Sequence, residues 1–124
     1  MAKRTNVVAV IDDDADVLES VKALLLACGY EAELYASSGA FLAAVSSTAA
    51  SYLIVDIQIG ESDGVELVSQ LKAAGFNFAT IFMTGSDYGT VQKRVEEVGC
   101  VAFLRKPFSA DLLAEALVNA EQET

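Results

Sequence analysis

Histidine and tryptophan are absent from this 124-residue chain, proline occurs once and cysteine twice. Without histidine, Cys28 and Cys100 make a poor zinc site, and two cysteines are too few for a disulfide scaffold. Both lie in apolar contexts, so two reduced, buried thiols are expected. Cations are scarce too: 8 Lys and Arg stand against 18 Asp and Glu, a formal net charge of −10. A domain this acidic is repelled by phosphate backbones, so direct nucleic-acid binding is not expected. No polybasic segment draws it to an anionic membrane either. Long hydrophobic runs are missing as well. The basic start (residues 1–6) precedes only the apolar run Val7–Ile11, too short for a signal-peptide core or a membrane span. A reducing cytoplasm is the expected compartment. Linkers, repeats and low-complexity stretches are lacking, so residues 1–124 read as a single domain.

What is present is an ordinary globular composition, 53% hydrophobic and 21% charged. Apolar, β-branched and aromatic runs at 7–11, 33–35 (weak), 52–55, 80–83 and 101–104 predict five strands. Four of these are nearly continuous apolar stretches, as strands covered on both faces should be. Helical spacing fills the gaps. Val17, Leu18, Val21, Leu24, Leu25 and Cys28 mark one face, ended by Gly29. Phe41, Leu42 and Val45 follow the cap candidates Ser37 and Ser38. Val65, Leu67, Val68 and Leu71 follow the cap candidate Asp63 and precede Gly75. Val91, Val95 and Val98 precede Gly99, and Leu112, Leu113, Ala116 and Leu117 follow Ser109. Strict alternation predicts an α/β fold, a parallel sheet between helical layers with right-handed crossovers.

In such sheets ligands bind beyond the carboxyl ends of the strands. There the sequence places Asp12, Asp13 and Asp14, then Asp56, then Thr84, Gly85 and Ser86, then Lys106. Each has an ordinary reading alone. Asp13 and Asp14 can serve as a helix N-cap and first-turn acid, Asp56 as a loop cap, Thr84 as a strand end and Lys106 as a solvated lysine. Their convergence on one rim favours a phosphate site instead. Clustered carboxylates need a cation, and oxygen ligands without nitrogen or sulfur suit Mg²⁺ rather than zinc. A lysine and a hydroxyl beside them would orient phosphoryl oxygens, and a remaining carboxylate could be the nucleophile.

Five motifs in order carry a family resemblance: Val10-Ile11-Asp12-Asp13-Asp14, Leu53-Ile54-Val55-Asp56, Asp63-Gly64, Phe82-Met83-Thr84-Gly85 and Phe103-Leu104-Arg105-Lys106-Pro107-Phe108. From about Val7 onward the chain resembles a receiver domain of two-component response regulators. The stretch from Val8 through Tyr35-Ala36-Ser37, with Ile81 to Gly85, is similar to the FixJ-type subfamily. The resemblance implies a flavodoxin-like (βα)5 sandwich with strand order 2-1-3-4-5. It implies Asp56 as phosphoacceptor, supplied by a histidine kinase or a histidine phosphotransfer protein. It implies Mg²⁺ held by Asp13, Asp56 and the Gln58 backbone carbonyl, with Asp12 acting largely through water. Lys106, followed by a cis bond to Pro107, would pair with the phosphoryl group. Thr84, with Gly85, would move toward it and Phe103 would turn inward, changing the surface of the fourth helix, fifth strand and fifth helix. Self-phosphorylation from phosphohistidine and self-dephosphorylation would be its only chemistry. Downstream it implies a partner protein or an output domain, with the chain either a stand-alone receiver or the N-terminal part of a larger regulator. Homodimerisation on phosphorylation is a further option.

Three departures stand out. Gly60 replaces an expected proline in the loop after Asp56, suggesting a more mobile loop. The switch aromatic is Phe103, without a tyrosine hydroxyl. Gln58 and Ser86 occupy positions that tune phosphate lifetime in the family. Other readings are a haloacid-dehalogenase-type enzyme opening on Asp12-Asp13-Asp14, a flavin-binding flavodoxin-like domain using residues 84–90, and a phosphate-independent binding module.

Overall fold

The computed structural model describes residues 5–85 and 92–122. Along them run β1 (Val7–Ile11), α1 (Ala15–Ala27), β2 (Glu31–Tyr35), α2 (Ser38–Ala44), β3 (Tyr52–Asp56), α3 (Gly64–Ala73), β4 (Ala79–Thr84), α4 (Gln92–Val98), β5 (Ala102–Arg105) and α5 (Ala110–Glu121). The strands form one parallel sheet in the order β2-β1-β3-β4-β5. This is the expected order. Alternate strand residues point to opposite faces. Val8, Val10, Ile54, Ile81 and Met83 pack under α1 and α5, whereas Ala9, Ile11, Leu53, Val55 and Phe82 pack under α2, α3 and α4. β3 and β4 are buried along their whole length, which is why their sequences carry no polar alternation.

The weak second run is a five-residue strand beginning at Glu31, two residues earlier than expected. Among the described residues it is an edge strand, paired only with β1, so its exposed start has no hydrophobic signature. β3 and β4 reach one residue further than their apolar runs, to Asp56 and Thr84. At α1 the cap is Asp14, whose Oδ1 accepts from the amides of Asp16 (2.9 Å) and Val17 (3.4 Å), and the first-turn acid is Asp16. Asp13 therefore does not cap this helix. Ser37, Asp63 and Ser109 cap α2, α3 and α5. Val91, expected on the fourth helical face, lies outside the described residues.

Cys28 and Cys100 are free thiols, half-buried rather than buried, and they pack against opposite faces of the sheet. Among the described residues no helix is long and apolar enough to cross a membrane.

Candidate functional site

The chain moves outward from β1 to β2 on one side and through β3, β4 and β5 on the other, so the topological switch point lies between β1 and β3. Asp12 and Asp13 follow β1 and Asp56 ends β3, which sets three carboxylates side by side. One oxygen from each lies within 4.8 Å of the others, with Asp12 and Asp56 buried and Asp13 exposed. β4 delivers buried Thr84 beside them, and β5 delivers Lys106.

Lys106 binds two of the acids. Its Nζ donates to Asp56 Oδ2 at 2.6 Å and to Asp12 Oδ2 at 3.0 Å. The other oxygens are held by backbone: the Asp14 amide donates to Asp12 Oδ1 and the Gln58 amide to Asp56 Oδ1, both at 2.9 Å. The Lys106 amide donates to the Thr84 carbonyl (2.7 Å), and the bond between Lys106 and Pro107 is cis. Asp13, Asp56, Gln58, Gly60, Thr84, Gly85 and Lys106 line an open cleft of about 340 Å³. Phe103, in β5, is half-buried against the α2–α3–α4 side of the core. Ser86 and most of the loop 84–90 lie outside the described residues.

Burial pushes the Asp12 carboxyl above the usual aspartate range, and the charge of Asp56 adds to this against the pull of the Asp14 amide and Lys106. Burial also acts against the Lys106 ammonium, but Asp56 and Asp12 outweigh it and hold that group above the ordinary lysine range. Among the described residues, three carboxylates stand against one lysine in the cleft. All-oxygen donors at this spacing fit a hard divalent cation.

The loop between Asp56 and α3 carries a short hydrogen-bonded ladder of its own. Gln58–Ile59 pairs antiparallel with Ser62–Asp63, and Gly60 turns the chain at φ +60°. Proline, locked near φ −65°, cannot make that turn, which accounts for its absence here. Asp63 then uses Oδ1 to cap α3 and Oδ2 to bind Arg94 Nη2 of α4 at 2.5 Å. Burial raises the Asp63 carboxyl, but Arg94 and the helix amides win and hold it below its ordinary 3.8.

Replacing Asp63 with alanine should cost about 1 kcal/mol for the cap, and at most about 1 kcal/mol more for a largely exposed ion pair. A depressed carboxyl contributes stability above its unfolded pKa and loses it as pH falls through the folded value. Urea unfolding of wild type and Asp63→Ala should therefore differ at neutral pH and converge as pH drops from about 5 toward about 3. A gap that widens on acidification contradicts this assignment.

The Arg94 pairing and the dual Asp12–Lys106–Asp56 bridge had no counterpart in the sequence analysis. Both join residues distant along the chain, brought together by strand order and helix packing. Asp63 was legible as a cap, but its second partner was not.

A parallel sheet in this order, wrapped by helices on both faces, is the flavodoxin-like doubly wound class. Within it the chain belongs to the response regulator receiver domain family, whose model matches residues 8–118. It is 33% identical over 119 residues to the response regulator protein TodT of Pseudomonas putida, covering 94% of this chain and 52% of TodT. It is 35% identical over 113 residues to the transcriptional regulatory protein FixJ of Bradyrhizobium diazoefficiens, covering 90% of this chain and 54% of FixJ. The crystal structure of FixJ-N superposes with a TM-score of 0.87 at 27% identity, covering 100% of this chain and 98% of that one. The chain spans about half the length of the curated relatives it matches. This membership displaces the haloacid-dehalogenase and flavin-binding readings.

Proposed function

We propose that the chain is a single phosphoaccepting receiver unit, in which Asp56 takes a phosphoryl group from the phosphohistidine of a histidine kinase or phosphotransfer protein. The carrying observation is the position of Asp56: a buried carboxylate at the switch point, gripped by Lys106 at 2.6 Å and by the Gln58 amide at 2.9 Å, on the wall of an open cleft. In the transfer an Asp56 oxygen bonds to phosphorus as the phosphorus–nitrogen bond to the donor imidazole breaks. The freed imidazole nitrogen keeps the electron pair, and an aspartyl phosphate results. Asp12, Asp13, Asp56 and the Gln58 carbonyl would hold Mg²⁺, which would supply positive charge for the phosphoryl oxygens.

Lys106 stands ready to exchange its Asp56 contact for a phosphoryl oxygen. Thr84 and Gly85, at the end of β4, line the same cleft. Phosphorylation adds negative charge and three strong acceptors there. Drawing Thr84 inward and turning Phe103 would then alter the α4–β5–α5 surface read by an output domain, a partner or a second copy. Self-dephosphorylation by water would reset the unit. The compartment proposed is the cytoplasm, where the donor kinases present their phosphohistidine.

Borohydride reduction of the phosphorylated protein followed by peptide mapping should place the acyl phosphate at Asp56. A label at Asp12 or Asp13 would contradict the reading. Amide exchange over α4, β5 and α5 should change on phosphorylation, and an unchanged pattern would sink the proposed output surface.

A further inference from the structure

Among the described glycines, the closest backbone approach falls on Gly64, the first residue of α3. A Cβ built there would lie 2.0 Å from the carbonyl oxygen of Asp56, 3.0 Å from its carbonyl carbon and 3.0 Å from Val55 Cγ1. The first distance is far inside contact, and the obstacle is backbone, so no rotamer change relieves it. The contact is fastened from both directions. The Gly64 amide donates to the Ile57 carbonyl at 2.7 Å, and Asp63, just before it, is fixed by pairing with Gln58, by capping α3 and by Arg94.

We infer that Gly64 is a positioning residue for the phosphoacceptor: the start of α3 lies flush against the Asp56 peptide and so sets where its carboxylate sits. This rests on the phosphoacceptor reading above and names a further residue that serves it. Any side chain at position 64 must push the Asp56 peptide and the helix start apart by roughly an ångström. The carboxylate is held at 2.6 Å by Lys106 and at 2.9 Å by the Gln58 amide. A shift of that size breaks at least one of these bonds. Misplacement of a reacting group by about 1 Å can cost about 100-fold in rate.

The test compares wild type, Gly64→Ala and Val68→Ala in the 124-residue chain. Val68 is buried one turn further along α3 and packs in the core, so its truncation should destabilise the fold without adding an atom against the Asp56 peptide. Phosphoryl uptake from acetyl phosphate with Mg²⁺ is followed by intact mass, at a temperature where circular dichroism shows each variant folded. The Mg²⁺ affinity of the unphosphorylated protein is measured by calorimetry. Gly64→Ala should slow uptake at least about tenfold and weaken Mg²⁺ binding, while Val68→Ala loses thermal stability but keeps both near wild type. If Gly64→Ala is unfolded, all three are measured in enough trimethylamine N-oxide to restore its native spectrum.

Uptake by folded Gly64→Ala within about twofold of wild type overturns the inference and leaves the receiver reading standing. Equal slowing in Val68→Ala overturns it too, because the effect would then follow stability. A wild type that accepts no phosphoryl group from acetyl phosphate, phosphoramidate or a phosphorylated histidine kinase overturns the reading and this inference together.

Discussion

Replacing Lys106 with methionine should lower the unfolding free energy at pH 7 in the presence of a chelator by about 2 kcal/mol, with the loss shrinking toward pH 5. Breaking a buried ion pair from one side typically costs about 3–5 kcal/mol. The Lys106 side chain is one-fifth exposed, so solvent screening reduces that figure. A second limit comes from protonation. Asp12, already raised by burial and left without its cation, can relieve the repulsion by taking up a proton, at about 1.4 kcal/mol per pH unit. The folded variant then binds a proton that the unfolded chain does not, so its stability must rise as pH falls from 7 toward 5.

The alkaline limb gives the opposite test. Lys106 is raised in the folded protein, so its contribution is complete below the ordinary 10.5 and is lost as pH rises through the higher folded value. Wild type should show that loss and Lys106→Met should not. Urea unfolding across pH reads both limbs. A variant as stable as wild type at pH 7, with the same pH profile, would mean the bridge carries no net stabilisation.

Magnesium should produce an effect of similar size in the other direction. Three carboxylate oxygens within 4.8 Å of one another, with one lysine between two of them, repel each other until a cation arrives. Ligand binding to the folded state alone stabilises by about 2.7 kcal/mol when the ligand is at 100 times its dissociation constant. Wild type should therefore melt several degrees higher in saturating Mg²⁺ than in chelator.

Asp13 is the informative position because it is exposed and makes little demand on folding. Asp13→Asn should be at least as stable as wild type in chelator, since one like charge is gone, yet lose most of the Mg²⁺-induced rise. Phosphoryl uptake should stop in chelator for both. If Asp13→Asn keeps the full rise in melting temperature, Asp13 is not among the residues that hold the cation.

These expectations could be framed because much of the fold was legible in the residues. Leu53-Ile54-Val55 and Ile81-Phe82-Met83 announce buried parallel strands, and Ser37, Asp63 and Ser109 stand where helix starts need an acceptor. β2 was only half visible because an edge strand with exposed Glu31 need not look apolar. The site residues were legible as a set because each follows a strand directly, and parallel strands bring those positions to one rim. What the sequence could not show was pairing among them. Nothing local links Lys106 to Asp12 across 94 residues, or Arg94 to Asp63 across 31. Both links arise from strand order and helix packing. Gly60 stands in the sequence as a missing proline, but the left-handed turn it makes inside a short ladder is a backbone property that residue pattern does not display.

The most direct test of the central claim is intact-mass analysis after incubation with Mg²⁺ and a small phosphoryl donor, first acetyl phosphate and then phosphoramidate. Wild type should gain one phosphoryl group, a gain abolished in chelator and absent in Asp56→Asn. A gain that persists in Asp56→Asn would place the acceptor elsewhere. No gain from either donor or from a phosphorylated histidine kinase would contradict the phosphoacceptor reading and leave a receiver-fold domain that works by binding alone.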